Sequence, residues 1–208
     1  DDCCCFEEAA QKLVEYLIDV FRLDDDPEFA LIRVFRTMQY NELPPDLKKF
    51  AQHPQGNYLA LMGTIGIEDE WCDRKHSSAR KFIHISDSMS PMFKGVFHDL
   101  GFSWSDETED DDVIEGERLG SMQMIQYFHV ENASESHQIT DQKSFVEPYG
   151  IESVLAIGTK FMSGAGYVLI GFSRTPISTK NAEKLVQMAS YISTLLALFD
   201  TRGNIWAS

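Results

Sequence analysis

The sequence predicts an α+β domain built on an antiparallel sheet, and three observations carry that prediction. Apolar residues recur at helical spacing near both ends of the 208-residue chain, short β-type runs lie between them, and two of those runs flank a glycine-bearing hairpin. Elements in that order argue for one core in which helices cover one or both faces of a sheet.

Phe6, Ala10, Leu13, Leu17 and Val20 recur at helical spacing, which predicts an amphipathic helix over 6–22; Asp24, Asp25, Asp26 and Pro27 end it with turn chemistry. ALIRVFRT at 30–37 reads as a strand, and Arg33 and Arg36, three apart, face opposite sides of it. One arginine turned inward toward an anion, or ion pairs to the many carboxylates, both fit that spacing. A polar loop through Pro44 and Pro45 leads to a short helix over 46–52 and a second strand at 57–67. ARKFIHIS at 79–86 predicts a strand, and residues 91–100 a short helix stopped by Gly101. Eight of the twelve residues 106–117 are acidic, which predicts a solvated, mobile loop over 102–121; its spacing does not combine the mid-loop glycine and terminal glutamate of an EF-hand. MQMIQYFHV at 122–130 restores strand character, followed by a polar connector to Phe145. SVLAIGTKF and YVLIGFSR form the hairpin around Met162 to Gly166, and a proline-marked loop leads into one long closing helix over 179–200.

Composition narrows the function. A single core of this length buries about 70% of the unfolded surface and leaves little room for a second domain. The net charge of -15, from 33 acidic against 18 basic residues, disfavours nucleic acid and anionic membrane surfaces, both of which ask for a basic face. No apolar run approaches the ~20 residues of a membrane-spanning helix. Three of the four cysteines are adjacent, Cys3, Cys4 and Cys5, which is no disulfide framework and points to a reducing cytoplasm. The triplet also lacks the gap usual in zinc sites and reads as a cysteine-rich first helical turn, so no metal ligands are assigned. Asp1 is not an initiator methionine, which points to a segment of something longer.

FHVENA at 128–133, FVEPYGIESVLAIG at 145–158, the hairpin and the closing helix follow one another as in the C-terminal half of GAF sensor domains, and residues 122–199 resemble that family. The resemblance implies a sheet of about six antiparallel strands, with the N- and C-terminal helices on one face and short helices on the other. A small-molecule pocket would lie beneath those short helices. Where the family usually has a proline, this chain has Ile157 and Gly158. It also lacks the NKFDE-like set of cyclic-nucleotide binders, and Cys72 is followed by Asp73 rather than the histidine common in bilin binders.

An aromatic cavity with a few polar groups suits small-molecule recognition, which selects Phe128, His129, Phe145, Tyr149 and Ser153 as ligand contacts. His84, between apolar neighbours in FIHIS, joins them as a possible haem or metal ligand. Cys72, Asp73 and His76 are a weaker metal pattern. No phosphate loop, nucleophile elbow or HExxH motif is present, and GAF-like methionine sulfoxide reductases need several cysteines near the pocket where this chain has Cys72 alone. The expected protein is a non-enzymatic, ligand-sensing regulatory domain of a signalling protein such as a histidine kinase. Its cofactor is unknown, and its partners are a small-molecule ligand, a downstream effector domain and a second copy of itself. Ala182, Leu185, Ala189, Ile192, Leu196 and Phe199 give the closing helix a coiled-coil rhythm, so the homodimer is expected through the terminal helices, with Leu13 and Leu17 joining the seam. The alternatives are a dimerisation module with a degenerate pocket and a small enzyme on the same scaffold.

Overall fold

The first helix ends where its apolar stripe ends. In the computed structural model, which describes residues 3–23, 25–77, 81–102 and 127–207, α1 spans Phe6–Val20. Residues 103–121 of the acidic loop read at 102–121, and residues 79–80 and 122–126 of two expected strands, lie outside the described residues, whereas Phe102 is buried against Phe97. Phe6, Ala10, Leu13 and Leu17 are buried against the sheet, whereas Val20 is exposed, so the buried stripe stops one turn earlier than its spacing suggested. A two-residue ladder, β1 (Arg22–Leu23) with β2 (Asp26–Pro27), then turns the chain back.

The sheet has six antiparallel strands: β3 (Phe29–Gln39), β4 (Asn57–Gly66), β5 (Phe82–His84), β6 (Tyr127–Val130), β7 (Ser153–Lys160) and β8 (Gly166–Ser173), in the order β5-β4-β3-β8-β7-β6. Strands β3, β4 and β8 are buried almost end to end because layers cover both faces of the sheet. Ile32 and Val34 point to the face of the terminal helices, and Leu31 and Phe35 to the opposite face under α3 (Pro91–Asp99), so the layering implied by the resemblance is present. The other short helix, α2 (Pro45–Lys48), buries Leu47 on the terminal-helix side. Helix α1 lies so close over β4 that a Cβ on Gly63 would stand 2.6 Å from the Ala10 backbone, a contact only glycine permits. Strand β7 is interior, and Gly158, in place of the family's proline, lets it lie against β8, since a Cβ there would meet the Tyr167 carbonyl at 2.3 Å.

The single closing helix is two helices, α5 (Thr179–Val186) and α6 (Ala189–Thr201). Met188 keeps an αR backbone (φ -71, ψ -18), so the chain runs on while the hydrogen-bond ladder breaks; no proline or glycine marks the break. The expected dimer seam is corrected here. Ala182, Ala189, Ile192 and Leu196 are buried in the core beside Leu13 and Leu17, because the sheet offers α6 the nearest apolar surface. The Leu185 side chain lies outside the described residues. The outer face of α6 instead exposes Tyr191, Leu195 and Leu198, at spacings of four and three.

Arg36 settles one arginine question. Its Nε and Nη2 donate to Asp200 Oδ1 at 2.9 and 2.7 Å, both residues out of water, and Oγ of the exposed Ser163 donates to Asp200 Oδ2 at 2.6 Å. The pair ties the end of α6 to β3 and to the β7–β8 turn.

Candidate functional site

Beneath α3, on the sheet face opposite α1 and α6, is a cavity of about 250 Å3. Its floor is Leu31, Arg33 and Phe35 of β3 with Ile170 and Phe172 of β8; its walls are Glu70 and Trp71, the start of α3 at Ser90, Met92 and Phe93, and the segment 139–149. Strand alternation puts Arg33 here and Arg36 on the other face.

The wall at 139–149 is built by an unusual helical turn. A π-helical turn, Gln142–Val146, runs into α4 (Glu147–Tyr149), which Gly150 ends with a left-handed φ of 62°. Gln142 Nε2 donates to the carbonyls of Ala133, Ser136 and Ile139, which ties the polar connector down. Phe145 and Tyr149 then stand on one side and meet Trp71, with ring centroids 5.8 and 4.5 Å away, and Phe145 also packs edge-on against Phe172 at 4.9 Å. Single-turn π segments recur at functional sites because they re-aim side chains. The Arg33 guanidinium, its residue only 6% exposed, lies 3.5 Å from Ser77 Oγ and brings positive charge to the floor, with the carboxylates of Glu70 and Asp141 on the walls. Aromatic faces beside a few fixed polar groups are how small-molecule sites are lined, and about 250 Å3 is just below the ~300–1,000 Å3 common for such sites, which selects a small, compact molecule.

Of the six residues expected to touch ligand, Phe145 and Tyr149 line this cavity. Phe128 belongs to the same core layer but lies behind the cavity, its ring against Gly95 of α3, where an added Cβ would stand 2.7 Å away. His129 alternates with Phe128 and so points to the other face of β6, beside Tyr127 and with its buried Nε2 lacking a hydrogen-bond partner among the described residues. Ser153 is a structural group: its Oγ donates to the Thr175 carbonyl (2.8 Å) and accepts the Ile177 N–H (3.1 Å), fixing the loop into α5.

His84 is not among the residues that line the cavity. It stacks on His53 at 4.1 Å with an 11° interplanar angle and also meets Tyr58, away from the cavity. Stacked rings hold their nitrogen lone pairs side by side in parallel planes, which does not suit joint ligation of one ion. Burial, then the neighbouring His53, lowers the His84 pKa. Folding thus favours the neutral ring. Stability is complete above the unfolded value of about 6.5 and falls as pH drops from there toward the folded value. Urea midpoints at about pH 7.5 and about pH 5.5 should show an acid loss that His84→Gln reduces; an equal loss in the variant counts against this origin.

Trp71, Ser90 and Asp141 were not legible as site residues. Trp71 ends a single 3-10 turn, Asp69–Trp71, in a stretch with no periodicity, although the alternation Leu31, Arg33, Phe35 does place Arg33 on the cavity face. Cys72 Sγ turns to the carbonyls of Gly66 and Glu68, so WCDRKH forms no metal cluster, even though Asp73 and His76 approach to 3.6 Å.

No protein-family model and no curated protein sequence matches the chain. Solved structures do. A GAF domain region of a membrane protein from Geobacter sulfurreducens superposes with a TM-score of 0.54 at 11% identity, covering 94% of this chain and 93% of that one. The GAF domain of an Acinetobacter phosphoenolpyruvate-protein phosphotransferase gives 0.51 at 14% identity, covering 98% and 89%. A type II free methionine-R-sulfoxide reductase from Thermoplasma acidophilum gives 0.50 at 9% identity, covering 93% and 96%. At these identities the likeness speaks for the fold alone, and on that ground the chain has the GAF fold.

Proposed function

We propose that the chain is a ligand-sensing regulatory domain of a cytoplasmic signalling protein such as a histidine kinase, and that a small molecule binds in the cavity under α3. The observation that carries this reading is the aromatic trio Trp71, Phe145 and Tyr149 facing buried Arg33 across a cavity of about 250 Å3. A ligand there touches β3, whose other face holds α1 and, through Arg36, the end of α6. Strain at the cavity therefore has a short packed route to the terminal helices and from them to an effector domain. A homodimer in this reading uses the exposed stripe Tyr191, Leu195 and Leu198 rather than the buried seam.

A reductase reading draws on the Thermoplasma likeness. Thiol chemistry at this cavity is not favoured, because none of Cys3, Cys4, Cys5 and Cys72 is among its lining residues.

A metabolite library screened by thermal shift tests the sensing reading. A ligand present at ~100 times its Kd adds about 2.7 kcal/mol to the folded state. Tyr149→Ala, at a half-buried position, should stay folded by circular dichroism and lose that response. A folded variant that responds like wild type contradicts the site.

A further inference from the structure

We propose that Cys4, Cys5 and Glu8 form a binding site for a thiophilic d10 cation of the Zn2+ class, separate from the cavity. One ligand atom from each residue lies within 4.8 Å of the other two. Zinc bonds sulfur at ~2.3 Å and carboxylate oxygen at ~2.0–2.2 Å, so two donors on one tetrahedral ion stand about 3.5–3.8 Å apart. Small side-chain rotations bring this set to that spacing. Sequence spacing alone argued against such a site, because two adjacent cysteines rarely converge on one ion; the turn into α1 and the return of Glu8 over it bring them together.

The backbone around the set is held on both sides. Cys5 is the N-cap of α1 but makes no side-chain capping bond; the N–H groups of Phe6 and Glu7 instead donate to the carbonyls of Asn204 and Ile205, each at 2.9 Å. The C-terminal segment thereby does the capping and leaves the Cys5 thiol uncommitted to the helix end. Asn204 Nδ2 donates to the Cys4 carbonyl at 2.6 Å, and the Cys4 N–H donates to Glu8 Oε2 at 2.8 Å, which holds the carboxylate back over the thiols. A carboxylate oxygen that accepts one N–H keeps acceptor capacity for an ion.

Chemistry agrees with placement. Adjacent cysteines do not close a relaxed disulfide, and both are free thiols here, so the pair persists as a dithiol. Two thiolates and a carboxylate compensate a divalent cation, and the ion's own charge is what draws the protons off the two thiols. Cys5 is buried and Cys4 exposed, which gives the ion one anchored ligand and an open path from solvent, with a coordination position left for water. Binding releases the two thiol protons to the buffer as the sulfur–metal bonds form.

Cadmium titration of the reduced protein is the test. One Cd2+ per chain should produce an ultraviolet thiolate-to-metal charge-transfer band. Cys4→Ser, at an exposed position, should remove most of that band with the fold intact by circular dichroism. Glu8→Gln should keep the band but weaken Zn2+ binding by about tenfold or more in competition with a chromophoric chelator. Cys72→Ser should change neither readout. The site is overturned if no band forms, if the band survives Cys4→Ser or needs Cys72, or if Glu8→Gln binds Zn2+ as tightly as wild type, which would reduce the set to an exposed dithiol.

Discussion

Asp200→Ala should lower the unfolding free energy by about 3–5 kcal/mol, because it leaves the buried Arg36 guanidinium with only the exposed Glu42, 3.5 Å from Nη1, as counter-charge. Arg36 and Asp200 are both buried, their closest approach is 2.7 Å, and the second carboxylate oxygen is held by Ser163. Removal of one partner costs more than the pair contributes, so the double variant Arg36→Met with Asp200→Leu should recover much of the loss. Urea unfolding followed by circular dichroism measures both. A loss below about 1 kcal/mol for Asp200→Ala would mean that Arg36 finds water or Glu42 at little cost.

Ile192→Glu should unfold the domain rather than separate a dimer. Ile192 and Leu196 lie in the core with Leu17 and Leu169, and a carboxylate at that point would be set among apolar side chains. The expected loss exceeds about 4–5 kcal/mol, a large part of the stability of a domain of this size. Leu195→Glu, on the exposed stripe, should keep the fold and is the variant that separates any dimer formed by α6. Sedimentation with circular dichroism on the two variants distinguishes these outcomes, and a folded Ile192→Glu monomer would contradict the packing described here.

The two cases show what periodicity conveys. The a/d rhythm of 182–199 reported an apolar stripe, which is real; whether such a stripe faces a sheet or a second helix depends on what lies opposite, and spacing carries no information on that. Hairpin, terminal helices and two-faced strands were legible because each repeats a local rule over many residues. The break at Met188 was not, since its backbone stays near helical values and no residue there resists a helix. For the cavity, Phe145 and Tyr149 were picked out as aromatic rings on the segment that the GAF resemblance puts over a pocket, and both line it. Trp71 comes from a one-turn 3-10 helix too short to leave a periodic signal, and Arg33 was separable from Arg36 by face but not by fate, since the buried partner of Arg36 lies 164 residues away. Phe128 and His129 illustrate strand alternation at a site: two neighbours cannot both face one cavity. The Cys3–Cys5 triplet was legible as unusual, but Glu8 joins it only once the helix is formed.

Native mass spectrometry of the purified protein, beside Tyr149→Ala, detects a ligand held beneath α3. The wild-type chain should carry a small-molecule mass increment that is released on denaturation and is absent or strongly reduced in the folded variant. An increment retained equally by Tyr149→Ala would place the ligand elsewhere and contradict a sensing site beneath α3.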